Sequence, residues 1–424
     1  MAKFKSSVAV YQDLFSLIKE TFTEEIFKKY FERVSHSFPI DEEEVIQENE
    51  IASFYFKTNQ RLNFLYDLSL TYSEKYLDEN ELTSFLYKLS LILKLYRKND
   101  HAIKLLQQIL DKNNKNEKSK DNKLFIANCN LQLADIYSAK AIWRGVDKHF
   151  KIARNLFEEL EDKNGVAECE FVFGSVYLEK GDLYAASVRF ENTEKFLDKK
   201  NNQLLWAKLT NNKGIYNSIK GNFEESKKYL EEALALFETL NLLPFQAEVK
   251  LNLGIIAFRQ QKYDIAERNF EDAKILAIRS LSIQTVAIAL MYKSQVYLSK
   301  GNLKTSLKII EQSTAISYQI NDTLTVADLF KLNGVALKEL QRYDAAEDML
   351  LTSLRINTEL GNQLNFAETS QELGYLYKLM GKHDLAINHF TNAMKYFTKI
   401  EAKKEIKELS FEVNSLSYKE KFKE

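Results

Sequence analysis

The residue types that most often carry catalysis or bind metal ions are few in this chain. The five histidines are His36, His101, His149, His383 and His389. They do not form, with the cysteines, the four-ligand cluster of a structural zinc site. The sequence also lacks the glycine-rich phosphate-binding motifs, H-E-x-x-H and G-x-S-x-G. We therefore expect a protein that is not an enzyme and that holds no metal ion or cofactor.

Composition argues against two classes of partner. The chain has 424 residues with 59 basic and 60 acidic side chains, whereas a nucleic-acid binder of this size usually shows a basic excess. No run of 18 apolar residues occurs, so no membrane span is predicted. Gln12, Asp13 and Lys19 interrupt the segment in which a secretory signal would be apolar. We expect a cytoplasmic protein that contacts neither nucleic acid nor membrane directly.

A 40-residue period organises most of the chain. Seven alanines recur at this interval: Ala127, Ala167, Ala207, Ala247, Ala287, Ala327 and Ala367. Seven residues after each alanine stands a small residue: Ala134, Gly174, Gly214, Gly254, Ser294, Gly334 and Gly374. Sixteen residues further on stands a large apolar residue: Phe150, Phe190, Leu230, Phe270, Ile310, Leu350 and Phe390. This pattern predicts two antiparallel helices per repeat that meet at the small residues.

The two cysteines occupy one position of this period. Cys129 and Cys169 are 40 residues apart, and equivalent atoms of stacked helices lie about 9–10 Å apart. A disulfide needs Cα atoms within about 7 Å. We expect two small buried thiols in a reducing compartment.

The period carries a family resemblance. One repeat shows the order small residue, Tyr, Gly, apolar residue, Ala, Phe at Gly174, Tyr177, Gly181, Leu183, Ala186 and Phe190. A later repeat shows most of the same order at Gly374, Tyr377, Gly381, Ala386 and Phe390. In these residues the chain resembles the tetratricopeptide repeat family, whose usual period is 34 residues. The longer period resembles variants in kinesin light chain and in bacterial peptide-sensing regulators. The resemblance implies an all-α solenoid, a right-handed superhelix of about eight helix pairs.

The two ends of the chain differ from the repeats. Residues 1–80 show helical periodicity without the repeat columns, and they are predicted to form a non-repeat helical region. The repeats span 81–400, and the polar residues 401–424 are predicted to form a capping helix. The acidic run at residues 41–44 is predicted to begin a helix, because the helix dipole favours carboxylates there.

In the family, the first helix of each pair lines a concave groove. The positions three before and one after the small residue point into it, and here they give an apolar middle with polar flanks. The predicted partner-binding residues are Asn211, Asn212, Ile215, Leu251, Asn252, Ile255, Phe258, Met291, Gln295 and Lys331. Similar asparagines grip a peptide backbone in peptide-binding relatives, since an amide both donates and accepts. The alternative is that the apolar residues pack the superhelix against itself.

The resemblance implies a non-catalytic scaffold or adaptor that binds a partner protein or peptide in the groove. The alternative is a cytoplasmic regulator whose repeats bind a signalling peptide and control the N-terminal helical region. That layout resembles peptide receptors of Gram-positive bacteria. The Lys–Asn pattern with which chaperone-binding relatives hold a C-terminal carboxylate is missing. A homo-oligomer is compatible with the sequence.

Overall fold

The computed structural model describes residues 4–6, 9–37, 44–46, 51–113, 119–140 and 142–421, and these are almost entirely helical. The first five helices are α1 (Ala9–Thr21), α2 (Glu24–Ser37), α3 (Ile51–Tyr76), α4 (Glu79–Leu95) and α5 (Asn99–Asn113). Seven pairs of consecutive helices follow. The first four pairs are α6 (Lys120–Ala139) with α7 (Trp143–Glu159), α8 (Lys163–Glu179) with α9 (Leu183–Phe196), α10 (Gln203–Ile219) with α11 (Phe223–Thr239), and α12 (Leu243–Arg259) with α13 (Tyr263–Arg279). The last three pairs are α14 (Ile283–Ser299) with α15 (Leu303–Gln319), α16 (Thr323–Glu339) with α17 (Tyr343–Leu360), and α18 (Gln363–Leu379) with α19 (His383–Lys399), and the single helix α20 (Lys403–Lys421) comes after them. The predicted all-α solenoid is confirmed. The boundaries at residues 80 and 400 stay a prediction.

The repeat columns form the core of each pair. All seven alanines are fully buried, and each large apolar residue of the third column is less than a tenth exposed. At Gly174, Gly254 and Gly374 an added methyl group would overlap the ring of the phenylalanine sixteen residues on. The small residue is therefore required by the close approach of the two helices.

The turn inside six of the seven pairs, from α8–α9 to α18–α19, uses a left-handed residue. Gly181, Gly221, Gly301 and Gly381 have positive φ between 72° and 82°. In two other repeats Gln261 and Gln341 adopt the same conformation, with φ of 60° and 59°. The same turn therefore forms in these two repeats without glycine. The left-handed conformation costs a residue with a side chain about 1–2 kcal/mol of free energy.

We expect Gln261→Gly to raise the free energy of unfolding by about 0.5–1 kcal/mol. Relief of the left-handed strain exceeds the about 0.4–1 kcal/mol that glycine costs by freeing the unfolded chain. Urea unfolding followed by circular dichroism measures the change. The matched control is Gln260→Gly, where φ is −83° and glycine should destabilise. Equal effects at the two positions would contradict the strain argument.

The N-terminal helices share a core with the repeats. One hydrophobic cluster joins Leu14, Leu65 and Leu86 to Ile278 and Leu290 of α13 and α14. The two short strands β1 (Phe4–Ser6) and β2 (Glu44–Ile46) pair antiparallel, and β1 lies against α13. The described part of the first eighty residues therefore shares a core with the middle of the solenoid.

The strand pair corrects one prediction. The acidic run was expected to begin a helix, but Glu44 lies in β2 and the next helix begins at Ile51; residues 41–43 lie outside the described residues. The β-branched Val45 and Ile46 favour an extended backbone, and pairing with β1 satisfies it.

Candidate functional site

A cavity of about 520 Å³ lies between helices of consecutive repeats, and we call it the channel. First helices of consecutive pairs, α4, α6, α8, α10 and α12, supply its walls. The predicted positions three before and one after the small residue line it in the early repeats, through Leu131, Asp135, Phe171, Ser175 and Asn211. Its walls combine apolar surface with charged and amide groups.

Two ion pairs cross the channel walls. Lys94 of α4 pairs with Asp135 of α6, and the Arg97 guanidinium pairs with Glu248 of α12. Arg97 is the left-handed residue that follows α4, with φ of 59°, and 151 residues separate it from Glu248. The Arg97–Glu248 pair therefore bridges the channel between the end of α4 and α12.

Three further charged groups line the channel without forming an ion pair with any described residue. Lys208 lies 5.1 Å from the centroid of the Phe245 ring. Glu168 accepts a hydrogen bond from Asn202 Nδ2 at 3.2 Å, and Glu179 accepts one from Ser138 Oγ at 3.4 Å. Lys208 and Glu168 act on each other electrostatically without forming an ion pair, so both keep hydrogen-bonding capacity for a ligand.

The channel's net charge changes near neutral pH. Burial between the walls, and secondarily the Asp135 carboxylate, raises the pKa of Glu179 to about 7. Burial also raises the pKa of Glu168, while burial and the nearby Lys94 lower the pKa of Lys208. The channel walls surround Glu179, but its side chain keeps contact with water inside the channel, so it can exchange a proton with solvent.

The three predicted asparagines form a hydrogen-bonded row across three repeats. Asn252 Nδ2 donates to Asn211 Oδ1 at 3.1 Å, and Asn211 Nδ2 donates to Asn212 Oδ1 at 3.4 Å. Asn212 Nδ2 donates to Ser175 Oγ at 2.7 Å. Each amide nitrogen carries two N–H groups, so this row fixes the side chains and leaves a second donor on each.

The other predicted groove residues lie elsewhere. Ile215, Ile255 and Phe258 are partly buried in the apolar clusters of the repeats, and Gln295 is half-buried. Leu251 and Met291 are less than a tenth exposed. Of the ten predicted residues, Asn211 and Asn212 line the channel. The ligand-binding role of the ten stays a prediction.

Lys331, predicted for the groove, lies in a separate charged cluster. Its Nζ is 2.5 Å from Glu368 Oε2 and 3.3 Å from Asp328 Oδ1. The side chain is 9% exposed. Two carboxylates thus hold this lysine against the inner wall.

Sequence reasoning missed a charged column of the repeat. The residue directly after the buried alanine is Glu168, Lys208, Glu248, Asp328 or Glu368 in five of the seven repeats. The first three line the channel, and the last two flank Lys331. A charge that recurs beside a fully buried alanine was the signal available in the sequence.

The histidines and cysteines form no reactive cluster. His149 Nδ1 lies 2.8 Å from Asn130 Oδ1, and burial lowers the pKa of His149 to about 4. Both cysteines are fully buried free thiols, as predicted, and burial raises their pKa values. Among the described residues, no group of three or more His, Cys, Asp or Glu side chains could hold a metal ion.

No helix within the described ranges combines the length and apolar character that a membrane crossing requires.

The comparisons with known proteins agree with this architecture. The family model of the tetratricopeptide repeat matches residues 207–273 and 325–399. No curated protein sequence matches the chain. Among solved structures, the chain is similar to a Rap protein complexed with Competence and Sporulation Factor, at 13% identity and a TM-score of 0.58, over 80% of this chain and 98% of that one. It is also similar to NprR in complex with its cognate peptide NprX, at 12% identity and a TM-score of 0.52, over 69% and 87% of the two chains.

At such identities a structural likeness shows the fold. The matched residues fall within the seven 40-residue repeats, and those repeats stack as helix pairs. Residues 207–273 and 325–399 therefore match tetratricopeptide repeats, and the chain as a whole has the fold of a helical-repeat solenoid.

Proposed function

We propose that this protein is a non-catalytic scaffold or adaptor that binds a peptide, or an extended segment of a partner protein, in the channel. The observation that carries the proposal is that three titratable groups, Lys208, Glu168 and Glu179, form no ion pair with a described residue and lie beside apolar surface from Phe171 and Phe245. Apolar side chains with a few convergent polar groups are typical of ligand sites. The two structures named above, which share the fold, were each solved with a bound factor or peptide. A cytoplasmic location belongs to this proposal.

The size of the channel favours a short stretch of chain. Its volume of about 520 Å³ lies within the range of about 300–1,000 Å³ that is common for small ligands. An extended peptide exposes backbone N–H and C=O groups, which the free amide donors of Asn211 and Asn212 and the carboxylates can meet. A folded domain would contact the rim alone.

A thermal-shift screen with a library of short peptides tests the proposal, since a ligand of the folded state raises the melting temperature. For peptides that bind, we expect Lys208→Ala to weaken binding about tenfold, which is about 1.4 kcal/mol. The matched control is Lys227→Ala, an exposed lysine of α11 that pairs with Glu231. Peptides that bind the wild type and Lys208→Ala equally would place the site outside the channel. A library without a single stabilising peptide would count against peptide binding itself.

A second candidate function is a regulator in which the ligand controls the N-terminal helices. The Arg97–Glu248 pair favours it, because Arg97 follows α4 and Glu248 belongs to the channel wall. A ligand that engaged Glu248 would compete with Arg97. Hydrogen exchange measured with and without a bound peptide separates the candidates. A regulator changes the exchange of α1–α3, whereas for a simple scaffold the changes stay within α4–α12.

A further inference from the structure

Successive turns of the superhelix touch each other. Tyr396 Oη of α19 donates to the Gly181 carbonyl at 3.4 Å, and Trp143 Nε1 of α7 donates to the Leu360 carbonyl at 3.5 Å. The partners are 215 and 217 residues apart, a little more than five repeat lengths. We call this line of contacts the seam. It joins the turns inside the early pairs to the ends of α17 and α19.

Two more contacts belong to the seam. Lys399 Nζ lies 3.8 Å from Asp182 Oδ2. Ile400 packs against the apolar cluster of α6–α10 and also against that of α16–α20. The contact is therefore partly apolar and is made by two consecutive early repeats, at Trp143 and at Gly181.

Gly181 is fitted to this contact. Its φ is +75°, and an added methyl group would overlap the Tyr396 hydroxyl. Gly301 has the same φ of +75° in its own repeat, and a methyl group there would meet no described atom within 4 Å. Tyr396 is 6% exposed, and burial raises its pKa. Tyr396 therefore makes a specific contact from which most water is excluded.

We infer that the seam closes the slot between successive turns, so that the occupant of the channel enters through an open end of the superhelix and must have a free chain end. A solenoid with separated turns would admit an internal loop of a folded partner from the side. The contacts described above remove that route along the early repeats. The closure stands on the contacts alone, whereas the identity of the occupant rests on the proposed function.

The seam is weak enough to open. Its two hydrogen bonds are long, and Lys399 is half exposed, so the ion pair contributes little. A single substitution that separates Tyr396 from Gly181 should therefore release the turns without unfolding the repeats, each of which contacts its own neighbours.

Distance measurements between spin labels on the ligand-free full chain test the closure. Labels on Tyr184→Cys and Lys404→Cys span the seam at exposed positions, and the native cysteines are fully buried. We expect a single narrow distance distribution that Gly181→Ala shifts by several ångströms or broadens. Gly301→Ala, which imposes the same backbone strain away from the seam, should leave it unchanged. Equal distributions in the two variants, or a broad one in the wild type, would overturn the inference.

The entry route is tested with the tightest peptide from the library screen. The probe is used in two forms, as a free linear peptide and as the same sequence joined at both ends to folded carrier domains. We expect the flanked form to associate at least about tenfold more slowly with the wild type, and Gly181→Ala to remove most of that difference. Equal association rates in the wild type would overturn the requirement for a free end. If no peptide binds, the proposed function fails while the label distances still decide the closure.

Discussion

Glu170→Ala is expected to lower the free energy of unfolding by about 3 kcal/mol, since breaking a buried ion pair costs about 3–5 kcal/mol. Glu170 is 1% exposed in α8. Its carboxylate accepts two hydrogen bonds from Arg189 Nη1, at 3.1 and 2.9 Å, and one from Asn192 Nδ2 at 3.1 Å. Arg154 donates a further hydrogen bond to it. Two cations from neighbouring pairs therefore meet on one buried anion.

The alanine variant leaves both guanidinium groups without this partner. Arg154 and Arg189 are each 29% exposed, so water can hydrate their guanidinium groups in the variant. This hydration reduces the loss of stability, and the expected value therefore lies at the low end of the range. Urea unfolding measures it. Glu191→Ala, at an exposed position of α9, is the matched control and should change stability by less than about 0.5 kcal/mol. A loss at Glu170 no larger than at Glu191 would show that the cluster contributes no net stability.

Lys98→Met is expected to raise the free energy of unfolding at pH 7 by about 2 kcal/mol. Lys98 is 8% exposed, and its Nζ donates to Tyr55 Oη at 2.9 Å and to Asn59 Oδ1 at 2.7 Å. No described carboxylate forms an ion pair with it, and burial lowers its pKa to about 8. Charging this amine in the folded state therefore costs about 3 kcal/mol relative to a pKa of 10.5. Loss of the hydrogen bonds to Tyr55 and Asn59 together offsets about 1 kcal/mol of the gain, since each contributes about 0.5 kcal/mol or more net.

The pH dependence gives the sharper test. Between pH 8 and 10.5 the unfolded chain keeps a proton on Lys98 that the folded chain has released, so stability rises with pH in this window. The difference between wild type and Lys98→Met should therefore shrink from pH 8 to 10.5, because both states of the lysine are neutral above it. Lys104→Met, at an exposed position of the next helix, should show no such change. A constant difference across this window would contradict the lowered pKa.

The sequence predicted the repeat and its core closely, because that part of the fold depends on contacts within one period. Small residues at Gly174 or Gly254 must meet a bulky residue a fixed distance along the chain, and the same requirement recurs in every pair. The wall of the channel was predicted less well. Asn211 and Asn212, both predicted to bind a partner, line the channel, whereas Leu251 and Met291 lie in the packed interior; the binding role of all four stays a prediction.

The remaining features depend on angles that a repeat pattern does not contain. The seam between Gly181 and Tyr396 arises when small rotations accumulate over more than five repeats. The bridge from Arg97 to Glu248 has the same origin. The paired strands at Phe4–Ser6 and Glu44–Ile46 are three residues long, too short for a recognisable alternation.

The charged column beside the alanines has a consequence for how this protein could acquire a new ligand. The alanine fixes the helix pair, while its neighbour varies among Glu168, Lys208 and Glu248 without altering the pair itself. Each of these repeats thus contributes one exchangeable side chain to the channel wall. The order of these side chains along the wall follows the order of the repeats in the sequence. Exchanging two of these side chains would change the charge pattern along the channel, and with it the selectivity for the proposed ligand, while the helix pairs keep their packing.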